Sequence, residues 1–197
     1  ELGTTVNSHL AAVPPAQIRA FDEEISAVSG LVKLTLGEPD FAVPDHVKKA
    51  AIESIQNDDS HYSPSKGKIE LRKAISKYLE QSRHVYYDPE TEIVVTIGAT
   101  EAVTATTFAM LNPGDKVIIP TPAFSLYFPS VSLTGAEPIK VNTADDGFLL
   151  SAERLEEVLA KEGSAVKAVL LNYPNNPTGR SYTEEELKAL AKVIKDH

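Results

Sequence analysis

Three short runs of apolar, mostly β-branched residues alternate with helical patterns along this sequence, and this alternation limits the possible folds more than any other feature. The runs lie at residues 93–97, 116–119 and 166–171. Short runs that are almost continuously apolar are typical of strands buried on both faces of a sheet. With helical patterns between them, they predict an α/β fold, a mainly parallel doubly wound sheet with flanking helices.

Apolar residues at helical spacing predict the helices that precede and flank this sheet. The last helix has the clearest start, because Thr183 and Glu186 form a capping-box pattern. Near the amino end, Val13-Pro14-Pro15 predicts an extended arm, and residues 31–36 alternate like a short strand. The predicted helices are 17–28, 44–56, 69–81, 102–111, 124–133, a segment around 155–159, and one that opens with the capping box. The chain stops inside this last helical pattern, so we expect that it is truncated.

Composition excludes several classes of function. The chain of 197 residues has 19 Lys and Arg against 28 Asp and Glu and no basic cluster, so we expect no nucleic-acid partner. It has no cysteine, which excludes disulfides, a thiolate nucleophile and cysteine-ligated metals, and its five histidines are too scattered to predict another metal site. No apolar run is long enough for a membrane span, and no signal-peptide pattern opens the sequence. We therefore expect a cytoplasmic protein without a membrane partner.

Unusual turns follow the three predicted strands, at the edge where an open parallel sheet binds its ligands. Gly98, Ala99 and Thr100 open a helix, and their backbone N–H groups with the Thr100 hydroxyl suit a phosphate, although a simple capped helix start fits equally well. After the second strand, two prolines present Phe124, which either stacks on a planar ligand or packs in the core. After the third, residues 172–179 bring amide side chains to the edge, and their Asn–Pro bond is a candidate for the cis form.

Four motifs occur in the order and approximate spacing of one enzyme family. The chain from about residue 18 to residue 197 resembles the amino-terminal half of the class I/II aminotransferases, fold type I enzymes that depend on pyridoxal 5′-phosphate (PLP). The resemblance implies an N-terminal arm and the start of a small domain over residues 1–40, and the first part of a large PLP-binding domain over residues 41–197. The motifs are Leu36-Gly37-Glu38-Pro39-Asp40-Phe41; Tyr62-Ser63-Pro64 with Gly67 and Leu71-Arg72; Gly98-Ala99-Thr100-Glu101-Ala102; and Asn175-Asn176-Pro177-Thr178-Gly179.

The resemblance gives the three turns their roles at the cofactor. Gly98, Ala99 and Thr100 are similar to the loop that holds the PLP phosphate with backbone N–H groups and a hydroxyl. Phe124 matches the aromatic residue that stacks on the pyridine ring. Asn176 resembles the asparagine whose amide donates to the phenolic oxygen of PLP and so stabilises negative charge there, and the peptide bond that follows it is expected to be cis.

Two residues outside those turns acquire roles by the same resemblance. Tyr62 is similar to the tyrosine that reaches the phosphate of the cofactor in the neighbouring subunit, which implies a homodimer. Gly37 resembles the glycine beside the substrate carboxylate, where a side chain would block the pocket.

The activity implied for the whole enzyme is the transfer of an α-amino group between an amino acid, aspartate or aromatic amino acids being favoured, and a 2-oxo acid. The family's Schiff-base lysine, its acid facing the pyridine nitrogen and its substrate-binding arginine belong to motifs that are not found in this chain. Ser63-Pro64-Ser65-Lys66 imitates the lysine motif but precedes the phosphate loop, so we interpret Lys66 as a surface residue. We therefore assign no catalytic residue and expect the chain alone to be inactive.

Two alternatives stay open at this point. One is a PLP-dependent C–S β-lyase or synthase on the same fold, because such enzymes share the cofactor motifs. The other is a non-catalytic fragment that binds PLP or is purely structural.

Overall fold

The computed structural model describes residues 17–197, together with Leu10 and Val13. Within this part of the chain, residues 17–98 form one compact unit and residues 99–197 form another. The arm predicted around Pro14 and Pro15 lies outside the described residues. The division of the chain at residue 40 stays a prediction.

The first unit contains the helices α1 (Gln17–Ile25), α2 (Asp45–Gln56) and α3 (Ile69–Arg83). α2 begins directly after Pro44, whose fixed φ suits a helix start, and Asp45 places a negative charge in the first turn. His84, the residue that follows α3, takes a left-handed conformation with φ of 58° and so ends the helix. These helices confirm the sequence prediction, although α1 ends earlier than expected.

The predictions of two strands in the first unit are wrong. Residues 31–36 and 93–97 are irregular, and no strand of the described chain pairs with either segment. A strand needs a neighbour that satisfies its backbone hydrogen bonds, so an apolar sequence alone does not form one. Residues 31–36 interact instead with α1, where Lys33 Nζ lies 3.3 Å from Asp22 Oδ2. In residues 93–97, the Val95 N–H donates to the Lys66 carbonyl at 3.0 Å.

The second unit is built on a three-stranded parallel sheet with helices on both faces. This architecture confirms the predicted α/β fold with a parallel sheet and flanking helices. The elements follow in the order α4 (Gly98–Met110), β1 (Lys116–Thr121), α5 (Tyr127–Ser132), β2 (Glu137–Asn142), α6 (Ala152–Glu162), β3 (Val166–Val169) and α7 (Glu184–Asp196), with α4 starting at the boundary between the units.

The sequence analysis does not predict β2. In the described sheet this strand pairs with β1 alone and therefore lies at an edge. An edge strand lacks the continuous apolar run of a central strand, and Pro138 within it is typical of an edge position. The alternation of apolar and polar residues from Ile139 to Asn142 is the weak signal that could have identified it.

Alternating residues of β1 point to opposite faces of the sheet and fill two cores. On one face Val117 packs with Val131 of α5. On the other face Ile118 packs with Leu155 of α6 and Leu190 of α7. β1 is thus a central strand buried on both faces, as its apolar sequence predicts.

Side-chain caps fix where the last two helices begin. Ser151 Oγ accepts a hydrogen bond from the Arg154 N–H at 3.1 Å at the start of α6. Thr183 Oγ1 accepts from the Glu186 N–H at 3.3 Å, and Glu186 Oε2 accepts from the Thr183 N–H at 2.7 Å. The predicted capping box is therefore present at the start of α7.

Candidate functional site

The strand order β2-β1-β3 creates a switch point at the carboxyl edge of the sheet. From β1 the chain passes to β2 on one side, and it later returns to β3 on the other side. Because β1 and β3 are parallel, with Ile118 opposite Val169, the loops that leave them start at the same edge. Open α/β sheets bind ligands in the crevice between loops that diverge in this way.

Helix α4 opens with the small residues that the sequence analysis singled out. Gly98 has φ of +74°, a left-handed conformation that favours glycine, and its N–H donates to the Thr96 carbonyl at 2.9 Å in a tight turn. A methyl group at Gly98 would meet nothing within 4 Å, and Ala99 and Thr100 are exposed. The first N–H groups of a helix have no partner within it, so this turn has the chemistry of an anion site.

Phe124 lies in the loop that leaves β1. The Thr121–Pro122 bond that precedes it is cis. The carbonyl of Phe124 accepts a hydrogen bond from the Tyr127 N–H at 3.2 Å. Its ring meets the Tyr127 ring edge-to-face, with 5.7 Å between the centroids. The side chain is 38% exposed. Phe124 is therefore a partly exposed aromatic ring in the loop that leaves the carboxyl end of β1, outside the buried core.

The loop that leaves β3 is fixed by hydrogen bonds of its own asparagine side chains. Asn172 Oδ1 accepts from the Asn176 N–H at 3.2 Å. Asn175 Oδ1 accepts from the Thr178 N–H at 3.1 Å and from Thr178 Oγ1 at 2.9 Å. The Asn176–Pro177 bond is cis, which confirms the expectation. The side chain of Asn176 is exposed and makes no hydrogen bond to any residue that the structure describes, so its amide can donate to a ligand.

One side chain joins the two loops of the switch point. Asn175 Nδ2 donates to the carbonyl of Pro122 at 3.4 Å. This bond ties the loop that carries Asn176 to the loop that carries Phe124. The structure therefore brings two of the predicted cofactor residues to one edge of the sheet.

A pair of tyrosines closes the base of the β3 loop, and the sequence analysis assigned them no role. The rings of Tyr173 and Tyr182 pack with their centroids 4.2 Å apart, and the Tyr173 hydroxyl donates to the Tyr182 oxygen at 3.0 Å. Burial, together with this hydrogen bond, raises the pKa of Tyr182, and burial raises the pKa of Tyr173. Both phenols therefore stay protonated at neutral pH. An aromatic residue directly before the helix cap Thr183 was the available sequence signal, because that position often packs against the helix it precedes.

Three residues of interest lie in the first unit. The side chain of Tyr62 is fully exposed. A methyl group at Gly37 would meet nothing within 4 Å, so no contact within the described chain requires a glycine there. Lys66 is exposed and donates to the Glu90 carbonyl at 3.4 Å, as expected for a surface lysine.

The described part of the chain contains no group of three or more His, Asp or Glu side chains that could hold a metal ion. None of its helices combines the length and the apolar character that a membrane crossing needs.

Comparisons with known proteins identify relatives along most of the chain. The family described as aminotransferase class I and II matches residues 29–197. The chain is 40% identical to a probable N-acetyl-LL-diaminopimelate aminotransferase of Bacillus subtilis over 90% of its own length and 44% of the relative. It is 33% identical to an aromatic-amino-acid aminotransferase of Thermococcus litoralis over 98% of its own length and 49% of the relative.

A solved structure shares the same fold. It is a mutant aspartate aminotransferase of Thermus thermophilus complexed with tryptophan, with a TM-score of 0.90 and 33% identity over 98% of this chain and 50% of that one. The chain thus spans about half the length of the relatives that it matches. On the family match and these relatives, the chain belongs to the class I and II aminotransferases.

Proposed function

We propose that the protein containing this chain is a PLP-dependent enzyme that transfers an α-amino group between an amino acid and a 2-oxo acid. Enzymes of this family depend on PLP. The observation that carries the proposal concerns the two loops at the switch point of the parallel sheet. One loop carries the partly exposed ring of Phe124, and the other carries the amide of Asn176, which has no partner in the described chain.

Phe124 and Asn176 at this edge, together with the start of α4, fit PLP by their chemistry. The cofactor has an anionic phosphate, an aromatic ring and a phenolic oxygen, and the chain offers one matching group to each. The start of α4, with Gly98, Ala99 and Thr100, would hold the phosphate through the backbone N–H groups of Ala99 and Thr100 and the Thr100 hydroxyl, while Gly98, whose N–H donates to the Thr96 carbonyl, would form the tight turn. The open space beside Gly98 supports this role, because no side chain of the described residues fills it.

Phe124 would stack on the ring of the cofactor, and Asn176 would donate its amide to the phenolic oxygen. When bound, PLP supplies an electron sink for the charge that develops at the substrate Cα. The role of Asn176 in that chemistry is to stabilise negative charge on the phenolic oxygen, which lowers the pKa of the cofactor's imine nitrogen. Asn172 and Asn175 support this role because they fix the backbone on both sides of Asn176.

Tyr62 and Gly37 complete the proposal for the active site. Tyr62 would reach the cofactor phosphate of a second copy in a homodimer, and the full exposure of its side chain supports a contact outside its own unit. Gly37 would leave space for the substrate carboxylate. Cytoplasmic location stays a prediction.

The rest of the active site would come from a further part of the protein. The chain covers about half of its relatives, and β3 has no neighbour on its outer side in the described sheet. An apolar groove runs beside that strand, lined by Ala102, Thr106 and Met110 of α4 together with Ala168 and Leu170. A further strand and the lysine that binds PLP covalently would lie there or beyond it, so the 197 residues alone should not catalyse transamination.

The substrate proposal is an aspartate or aromatic donor. The relatives carry the names of aminotransferases for aromatic amino acids, aspartate and a diaminopimelate derivative, which favours transamination over the lyase or synthase alternative. An assay therefore has to include all three classes of donor.

The test uses the full-length protein with PLP, each donor amino acid and 2-oxoglutarate. We expect equal amounts of glutamate and of the 2-oxo acid derived from the donor. A hydrogen bond to a charged acceptor contributes about 1.5–3 kcal/mol, so Asn176→Ala should weaken PLP binding about 10- to 150-fold. Asn57→Ala, at the exposed carboxyl end of α2, is the matched control and should bind PLP normally.

Two outcomes would contradict the proposal. Release of ammonia from a sulfur amino acid, without any transfer to 2-oxoglutarate, would indicate the lyase. A full-length protein that binds no PLP would indicate the non-catalytic alternative.

A further inference from the structure

The hydroxyl of Tyr182 uses its whole hydrogen-bonding capacity to join three segments of the second unit. It donates to the Leu150 carbonyl at 3.0 Å and accepts from the Leu150 N–H at 3.0 Å. It also accepts from the Tyr173 hydroxyl at 3.0 Å. A hydroxyl has one donor and two acceptor sites, so all of them are occupied.

These bonds connect the β3 loop to the buried core of the second unit. Leu150 is fully buried and packs with Leu155 of α6 and Leu190 of α7. Arg180 adds a parallel link, because its Nε donates to the Gly147 carbonyl at 3.0 Å. The loop that carries Asn176 is therefore closed at its base by two tyrosines and anchored to the segment that precedes α6.

We propose that Tyr182 is a positioning residue for Asn176, and that its hydroxyl holds the β3 loop where the Asn176 amide can donate to the phenolic oxygen of PLP. The inference rests on the proposed function, because it requires PLP at this edge. Tyr182 itself touches neither cofactor nor substrate in this account. It acts through the base of the loop, separately from the Asn175–Pro122 bond.

Tyr182→Phe is a specific probe because the ring remains. Its packing against Tyr173 is kept, and only the hydroxyl with its three hydrogen bonds is lost. A loosened loop weakens the bond from Asn176, so the phenolic oxygen loses part of its stabilisation. The pKa of the imine nitrogen of the bound cofactor should then rise by about 0.5–1 unit, which corresponds to one ordinary hydrogen bond. This pKa is read from the absorption spectrum of the cofactor as a function of pH.

The experiment measures this spectroscopic pKa and the PLP dissociation constant in the full-length holoenzyme for wild type, Tyr182→Phe, Asn176→Ala and the double variant. We expect Tyr182→Phe to raise the pKa and to weaken PLP binding about 3- to 10-fold. In the Asn176→Ala background, Tyr182→Phe should change the pKa no further, because its effect passes through Asn176. Tyr78→Phe, at an exposed position of α3, is the matched control and should leave both quantities unchanged.

The outcomes separate this inference from the function on which it rests. A wild-type protein that binds no PLP overturns both. A normal wild-type spectrum with an unchanged pKa in Tyr182→Phe overturns the positioning role alone, as does a shift of the same size in the presence and absence of Asn176. If Tyr182→Phe does not fold, Tyr173→Phe provides the same test, because it removes one of the three bonds and should shift the pKa in the same direction by a smaller amount.

Discussion

A substitution at Gly67 tests the structure of the first unit, because the expected loss of stability can be worked out from its backbone angle and two distances. Its φ is +89°, and a methyl group there would lie 2.7 Å from Val95 Cβ and 2.8 Å from Val95 Cγ2. The left-handed conformation costs a non-glycine residue about 1–2 kcal/mol, and overpacking of this kind costs about 1–3 kcal/mol. Gly67→Ala should therefore lower the free energy of unfolding by about 2–5 kcal/mol.

Gly30→Ala is the matched control for this variant. Gly30 has φ of +77°, but a methyl group there would meet nothing within 4 Å. It should show the conformational cost alone, about 1–2 kcal/mol.

The assay is urea unfolding combined with hydrogen exchange at the Val95 amide, which donates to the Lys66 carbonyl at 3.0 Å. We expect Gly67→Ala to unfold at lower urea and to exchange the Val95 amide faster, whereas Gly30→Ala leaves that exchange unchanged. Equal losses of stability in the two variants, or an unaltered exchange rate at Val95 in Gly67→Ala, would refute the reasoning.

Three further predictions concern the second unit. Thr183→Ala removes the cap of α7 and should lower the free energy of unfolding by about 1 kcal/mol in urea titrations, and an unchanged midpoint would show that the capping box contributes nothing. The folded state raises the pKa of Tyr182, so the contribution of this phenol to stability is complete below the ordinary phenol pKa of about 10 and is lost as the pH rises above that value. Tyr182→Phe should therefore make the loss of stability at alkaline pH less steep, and an equally steep loss would contradict this. Phe124→Leu keeps an apolar side chain but removes the stacking surface and should raise the PLP dissociation constant of the full-length protein about 2- to 12-fold, whereas an unchanged value would mean that the ring does not stack.

The sequence predicts an element of this fold well where local information is sufficient. β1 and β3 are recognised because their sequences are short, nearly continuous apolar runs, and side chains of both strands pack against the helices on the two faces of the sheet. α7 is recognised because Thr183 and Glu186 cap each other within one turn. β2 is missed because an edge strand carries only a weak alternation. The segment 93–97 has the composition of a strand but forms none, because strand formation also requires a partner, and the composition of a segment contains no information about its partner.

The candidate site shows the same difference between local features and contacts that are distant in the sequence. The turn at Gly98 and the cis bond after Asn176 were expected from residues close together in the sequence, whereas those residues left open whether Phe124 is exposed or lies in the core. The supporting contacts were not expected, since they join residues that lie far apart along the chain. Asn175 reaches Pro122, and Tyr182 reaches Leu150. Such contacts follow from the strand order, which local patterns do not determine.

The most direct test of the central claim is to reduce the PLP-loaded full-length protein with borohydride and to map the labelled peptide by mass spectrometry. Reduction fixes the cofactor to the lysine that binds it covalently. The account predicts one labelled lysine, located beyond residue 197, with Lys66 unlabelled. A label on Lys66 or on any other lysine of this chain, or no label at all, would contradict the proposal that these residues form the phosphate- and ring-binding half of a PLP enzyme.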